Sequence, residues 1–156
     1  MGASRIEPWW CSFAVKPWCT FGETHWCTYG RKLTGLVPPN GRGGPLHRHV
    51  QQLVAAEATS KGYRAEIEVA LPSGDAVDIH LSRASERIAV EIWVGSRLSR
   101  ELAHVENCLA AGYDRILCLV FAETLEAELR RAIPQHFPDQ ADRVRVIPLK
   151  QVGHLW

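Results

Sequence analysis

The sequence lacks the features that define several classes of protein. Its longest uninterrupted apolar run is Ile116 to Ala122, seven residues, whereas a membrane-spanning helix needs roughly 20. Charged residues and prolines interrupt the amino-terminal segment, so it has no continuous apolar stretch of the kind found in a secretory signal. We therefore expect a cytoplasmic protein without a membrane partner. In that compartment the five cysteines are expected to be thiols or metal ligands rather than disulfides.

Sequence motifs for several enzyme classes are also missing. The chain has no Gly-rich phosphate-binding loop, no Gly-x-Ser-x-Gly nucleophile motif and no closely spaced pair of Cys or His ligands. The formal net charge is only +1, so no overall positive field indicates nucleic acid. The remaining averages are ordinary. A chain of 156 residues that is 46% hydrophobic and 22% charged fits one globular domain with a buried core.

Residues 1–33 differ in composition from the rest and form what we call the Trp/Cys repeat arm. An octapeptide that begins with Trp, Cys, Ser or Thr and an aromatic residue occurs at residues 10–17, 18–25 and 26–33. Thiolates are preferred zinc ligands, but such ligands usually come in pairs two to four residues apart. The cysteines of the arm are eight residues apart, which argues against Zn²⁺ at Cys11, Cys19 and Cys27. A poorly ordered tandem duplication and a surface for a protein partner remain as interpretations.

Residues 34–45 are predicted to be a linker. They contain three prolines and four glycines, a composition that is typical of segments without regular structure. Charge also changes at this boundary. Through Pro45 the chain carries five Lys or Arg against two Glu, whereas residues 46–156 carry thirteen Lys or Arg against fifteen Asp or Glu. A basic segment of net +3 therefore precedes a folded part of net −2.

Hydrophobic periodicity in residues 46–156 predicts an α/β domain. Apolar residues recur at helical spacing in some segments and alternate with polar residues in others, as they do in half-buried strands. The predicted elements are a helix from 46 that ends at Gly62, strands 65–71, 77–81 and 88–94, helix 98–109, strand 115–121, helix 123–133 stopped by Pro134, and strand 143–149. This order predicts a mixed sheet in which the helix-linked third and fourth strands are parallel.

Polar side chains interrupt this pattern on two neighbouring strands. Asp78, His80, Glu91 and Trp93 are predicted on one face, opposite the aliphatic residues of those strands. Two adjacent carboxylates repel each other unless a cation lies between them, and such oxygen ligands suit Mg²⁺ or Mn²⁺. A further acid, Glu57, falls on the apolar stripe of the first helix. The pattern predicts a site built from these acids.

The second helix carries its own row of polar residues. Glu101, His104 and Cys108 are spaced i, i+3 and i+7, so they share one side of the helix, beside its leucine stripe. His80 and His104 are candidates for metal binding or proton transfer, and the alternative is that both are half-exposed surface histidines. Trp93 is either a stacking surface for an unpaired base or a residue packed under a helix.

The element order and three segments resemble the PD-(D/E)XK superfamily, the restriction-endonuclease-like nucleases. These segments are residues 74–81 (GDAVDIHL), 88–94 (IAVEIWV) and 101–120 (ELAHVENCLAAGYDRILCLV). The resemblance runs from about residue 44 to the carboxyl terminus. It implies an αβββαβ core with a mixed sheet, extended here by a helix and a strand. It also implies that Asp78 and Glu91 hold Mg²⁺ or Mn²⁺ at the scissile phosphate of DNA or RNA, joined by Glu57.

One departure from the family pattern concerns the Lys that stands two residues after the Glu. That position is Trp93 here, and an indole donates one N–H but carries no positive charge with which to stabilise a developing anion. In some relatives the basic residue lies on the following helix, where this chain offers Arg97, Arg100 and His104.

Three functions remain open at this stage. The first is metal-dependent hydrolysis of DNA. The second is a domain of the same fold that has lost catalysis and serves DNA binding or protein assembly, for example in a mobile element or a DNA-transfer system. The third is a protein-interaction domain.

Overall fold

A computed structural model describes residues 43–95 and 97–154 of the chain. The predictions for the Trp/Cys repeat arm, including Zn²⁺ at its cysteines and a protein partner, lie outside the described residues, and so does most of the linker. Pro45, predicted to be the last residue of the linker, is instead the first residue of a helix. Proline suits that position, because the first amide groups of a helix have no partner within it.

Within the described part of the chain, helices and strands follow the predicted order and confirm the α/β class. The elements are α1 (Pro45–Ser60), β1 (Arg64–Ala70), β2 (Ala76–Arg83), β3 (Glu86–Trp93), α2 (Leu98–Ala110), β4 (Arg115–Val120), α3 (Glu123–His136) and β5 (Val144–Pro148). Short 3-10 helices, Ala141–Arg143 and Leu149–His154, flank β5. None of these helices combines the length and the apolar character that crossing a membrane requires.

The five strands form one mixed sheet in the order β1-β2-β3-β4-β5. Strands β1, β2 and β3 are antiparallel neighbours, while β3, β4 and β5 are parallel. The predicted parallel step through α2 is therefore confirmed. A two-residue connection joins β2 to β3, and Ala84 adopts φ +52° there, as tight hairpins require.

Helices cover both faces of the sheet. Helices α2 and α3 pack on one face and α1 packs on the other, which leaves the middle of the sheet without solvent. Strand β4 lies between these two layers of helices. Its residues Ile116, Cys118 and Val120 face α2 and α3, and Leu117 and Leu119 face α1. Burial on both faces explains why β4 reads as a continuous apolar run rather than an alternation.

Helix α3 continues past the residue at which it was predicted to stop. Proline lacks the amide that bonds to the carbonyl four residues earlier, so the sequence predicted an end at Pro134. The helix instead runs to His136, with Pro134 inside it. Because Pro134 lies in the last turn, the break costs little, and the amide of Phe137 still bonds to the carbonyl of Ile133 at 2.9 Å.

Candidate functional site

Three carboxyl groups from three elements meet beside β2 and β3. Asp78 belongs to β2, Glu91 to β3 and Glu101 to the first turn of α2. Glu91 and Glu101 are only 2% and 3% exposed, whereas the side chain of Asp78 is 17% exposed. The charges of Asp78 and Glu101 both raise the pKa of Glu91, so the three groups lie within electrostatic range. We call these three residues the acid cluster.

Asp78 and Glu91 lie where the pairing between β2 and β3 ends. The β2–β3 pairing stops at Ile79 and Val90, one residue before Asp78 and Glu91. Beyond that point the amide of Ile92 donates to Oδ2 of Asp78 at 2.8 Å, and hydrogen bonding by the Asp78 main chain opposes the rise that burial produces in the pKa of Glu91. The carboxylates thus take up main-chain hydrogen-bonding groups that the sheet leaves unpaired.

Helix α1 contributes two residues that the sequence analysis missed. A hydrogen bond of 3.0 Å joins Nε2 of His47 to Oδ2 of Asp78, and buried Gln51 donates through Nε2 to the Asp78 carbonyl at 3.4 Å. Positions 47 and 51 share one face of α1 with buried Val54 and Ala58, because spacings of four, three and four residues follow the helical period. This shared face of α1 is the pattern in the sequence from which the two residues could have been predicted.

The predicted row on α2 surrounds the carboxyl group of Glu91. The thiol of Cys108 donates to Oε1 at 3.4 Å, and Nδ1 of His104 lies 4.0 Å from Oε2. Burial raises the pKa of Glu91 well above its ordinary value, and the charges of Asp78 and Glu101 add to this, while the Cys108 hydrogen bond opposes it. Burial also raises the pKa of the Cys108 thiol, as does the charge of Glu91, so the sulfur keeps the proton that it donates.

Two of the predicted site residues are not brought to the acid cluster. The Nδ1 atom of His80 bonds to the hydroxyl group of Tyr113 at 3.0 Å, and burial together with Arg87 lowers the pKa of this imidazole. Glu57 is half-buried and lies six residues after Gln51, about 9 Å farther along α1 at a rise of about 1.5 Å per residue. The acids whose charges act on Glu91 are Asp78 and Glu101.

Trp93 is packed under the helices that cover its face of the sheet. Its side chain is 3% exposed and belongs to the core between the sheet and helices α2 and α3. A stacking surface must be open to solvent, so the prediction that Trp93 stacks on an unpaired base is wrong. The indole Nε1 is buried without a hydrogen-bond partner. The position of the family's lysine is therefore filled by a neutral core residue.

The donor set of the acid cluster is suited to a hard divalent cation. Burial and the charge of Asp78 raise the pKa values of Glu91 and Glu101, and a cation reverses that effect by favouring the charged forms. Among the described residues, no group of three or more His, Cys, Asp or Glu side chains is arranged to hold a metal ion. Mg²⁺ is usually bound through one or two carboxylates, with waters and substrate phosphates completing its shell. Asp78 and Glu91 are the two residues that would hold it.

Comparison with known proteins leaves the family open. No family model matches the chain, and no curated protein matches it. Two chains of solved structure do match. One is the crystal structure of AF1548, a protein of unknown function, with 12% identity and a TM-score of 0.43. The similarity covers 63% of this chain and 55% of AF1548, so this chain spans about half the length of that protein. The fold and site define an α/β domain with a buried acid cluster.

Glu101 is expected to make the stability of the metal-free domain depend on pH. Burial raises the pKa of Glu101 from 4.5 to about 7 in the folded protein. Between these values the unfolded chain releases a proton that the folded domain retains, so the contribution of Glu101 to stability is greatest at low pH and is lost as pH rises. The shift corresponds to a loss of about 3 kcal/mol between about pH 4.5 and 7. Glu91, whose pKa is also raised, acts in the same direction.

Urea denaturation in EDTA over pH 5 to 8 measures this dependence. Glu101→Gln keeps the size of the side chain and removes its titration, so the variant should lose less stability than the wild type as pH rises. Glu106→Gln is the matched control, because Glu106 is an exposed residue of the same helix, and it should follow the wild type. Equal pH dependence in the wild type and Glu101→Gln would contradict the prediction.

Proposed function

We propose that residues 43–154 form a nucleic-acid-processing domain of the restriction-endonuclease-like type that hydrolyses DNA phosphodiester bonds with a divalent metal ion. The observation that carries the proposal is the meeting of Asp78 and Glu91 where the β2–β3 pairing ends. The element order around the sheet supports it. Helix α1 precedes three antiparallel strands, and α2 leads into a parallel fourth strand, as the resemblance to the PD-(D/E)XK superfamily implies.

Each residue near the acid cluster has a separate part in this proposal. The amide of Ile92 fixes Oδ2 of Asp78, and the thiol of Cys108 fixes Oε1 of Glu91, so both carboxylates are oriented before substrate arrives. A metal ion at Asp78 and Glu91 would supply Lewis-acid chemistry, which polarises a phosphate and lowers the pKa of a bound water. Nε2 of His47 lies 3.0 Å from Oδ2 of Asp78 and places a positive charge beside that carboxylate when the imidazole is protonated. Glu101 exchanges a proton near neutral pH, because its pKa is about 7.

A second candidate function is DNA binding or protein assembly without catalysis. Trp93 favours it, because a buried indole replaces the lysine that stabilises charge on the phosphate in the family. The burial of Glu91 favours it too, since its raised pKa disfavours the ionised form that a metal ligand needs. The proposal and the DNA-binding form of the second candidate both require contact with nucleic acid, and they differ in whether its phosphodiester bonds are cleaved.

Incubation of the full chain with labelled DNA and RNA separates the candidates. Single- and double-stranded substrates are tested with Mg²⁺, with Mn²⁺ and with EDTA. The proposal expects cleavage of DNA in the presence of either metal and none in EDTA. Salt-sensitive DNA binding without cleavage under any condition would replace the proposal with the second candidate. Absence of both cleavage and DNA binding would contradict the proposal and the DNA-binding form of the second candidate, and would leave a domain for protein interaction or assembly.

A further inference from the structure

A groove of about 730 Å³ runs along the outer edge of β5. Within the described part of the chain this edge is the outer side of the last strand in the sheet. The second half of α3 and the 3-10 helix Leu149–His154 flank it. The polar side chains that line the groove are Arg130, Arg145, Lys150 and Gln151. Among the described residues that form its lining, none is Asp or Glu. We call this feature the β5 groove.

The β5 groove concentrates positive charge on a domain that is acidic as a whole. Residues 46–156 have a net charge of −2, yet three cations line this one groove. Arg130 pairs with Glu126 at 2.9 Å and Lys150 with Glu123 at 3.2 Å, and both cationic side chains stay more than half exposed. The side chain of Arg145 is exposed and makes no hydrogen bond or ion pair within the part of the chain that the structure describes. Its guanidinium group is therefore available for a ligand.

Two features close this edge to an added β-strand. The Nη2 atom of Arg130 donates to the carbonyl of Val146 at 2.8 Å, so a main-chain acceptor of the edge is already used. Pro148 ends the strand and has no amide to donate. A peptide or a second copy of the chain that paired with β5 would have to displace Arg130 from the Val146 carbonyl, and it would find no amide donor at Pro148. An occupant that recognises charge rather than main-chain groups suits the groove better.

We propose that the β5 groove binds the sugar–phosphate backbone of nucleic acid through Arg130, Arg145 and Lys150. Guanidinium groups present paired N–H donors that match phosphate oxygens, and backbone contacts of this kind set the position of a nucleic acid on a protein. The proposal rests on the proposed function for the identity of the partner.

The sheet places the groove level with the acid cluster. Glu91 pairs with Cys118, and Cys118 pairs with Val146, so the two features lie at the same height along the strands. They are two strand spacings apart within the sheet, roughly 10 Å. The β5 groove therefore extends the surface for nucleic acid beyond the acid cluster, to the far edge of the domain.

Binding of fluorescent DNA to the full chain in EDTA tests this assignment. Arg145→Glu is expected to raise the Kd by about tenfold or more, because it replaces a charge-assisted contact with repulsion. Arg145→Gln removes one phosphate contact and should reduce the slope of log K against log salt by about 0.7 to 0.9. Arg131→Glu is the matched control: Arg131 neighbours Arg130 on α3 and is exposed, but does not line the groove. It should change the Kd by less than about twofold, as expected for a surface charge outside the contact.

The outcomes separate the groove from the proposed function. Thermal denaturation first establishes that the variants fold, as is expected for exposed residues. Where the wild type binds DNA, two results would overturn the assignment of the β5 groove and leave the proposed function standing. In the first, Arg145→Glu binds DNA as well as the wild type does, and in the second, Arg131→Glu weakens binding as much as Arg145→Glu does. If polyglutamate displaced the labelled DNA as well as unlabelled DNA does, an acidic peptide would replace nucleic acid as the occupant of the β5 groove. Because EDTA removes catalysis from this assay, absence of cleavage elsewhere does not affect the result. Absence of all nucleic-acid binding in EDTA would overturn the β5 groove proposal, whereas the proposed function is decided separately by the cleavage assay with Mg²⁺ or Mn²⁺.

Discussion

Asp78→Asn is expected to reduce metal-dependent DNA cleavage by at least about 100-fold. Losing a partner that merely orients a metal ligand typically costs about 10- to 100-fold, and Asp78 is one of only two carboxylates that would hold the metal. Asparagine keeps an oxygen that can accept from the amide of Ile92, so the end of the β2–β3 pairing is preserved. The measurement is the initial rate of cleavage at saturating Mg²⁺, with thermal denaturation as the test of folding.

Asp75→Asn is the matched control for this experiment. Asp75 lies three residues earlier and accepts a hydrogen bond from Asn107 at 2.7 Å, which an asparagine oxygen can also accept. The same chemical change is therefore made next to β2 but outside the acid cluster, and we expect a change in rate of less than about twofold. Cleavage by Asp78→Asn at the wild-type rate, still abolished by EDTA, would show that the metal binds elsewhere.

Trp93→Ala is expected to lower the free energy of unfolding by about 3 to 5 kcal/mol, the range for truncating a buried Trp in a core. The indole is 3% exposed and packs among residues of α2 and α3, so alanine leaves a cavity there. Trp93→Phe should cost about 1 kcal/mol or less, because it keeps an aromatic ring and removes a buried N–H that has no partner. Urea denaturation followed by circular dichroism measures both values.

The Trp93 variants also test what the residue does for function. If Trp93 serves packing alone, Trp93→Phe leaves both DNA cleavage and DNA binding at wild-type levels. A folded Trp93→Phe protein with lost activity would indicate that the indole itself contacts the substrate. A cost of less than about 1 kcal/mol for Trp93→Ala would instead contradict its place in the core.

Local periodicity was sufficient to predict the fold class and part of the candidate site. Alternation along β2 and β3 has a period of two residues, so it placed Asp78 and Glu91 on adjacent strands before any tertiary contact was known. The row of Glu101, His104 and Cys108 was predictable for the same reason, since it follows the helical period. The structure brings all three of these α2 residues to Glu91 or into its electrostatic range.

The residues that α1 contributes could not be predicted in this way. An apolar stripe on a helix is wide enough to contain two rows of positions, one with Glu57 and one with His47 and Gln51. Which row faces the acid cluster depends on how α1 packs across the sheet, and the sequence of α1 alone does not contain that angle. The burial of Trp93 could not be predicted for a similar reason, because alternation predicts which face of a strand a residue lies on but not which helices cover that face.

The hydrogen bond from Ile92 to Asp78 has a consequence for how the site meets a cation. Oδ2 of Asp78 stands where a carbonyl oxygen of a neighbouring strand would stand in a continuing ladder. This hydrogen bond therefore ties the carboxylate to the main chain of β3 and fixes its orientation. A cation that binds here meets an oxygen that is already in place. The Asp78 side chain therefore loses less conformational entropy on binding than a surface side chain would.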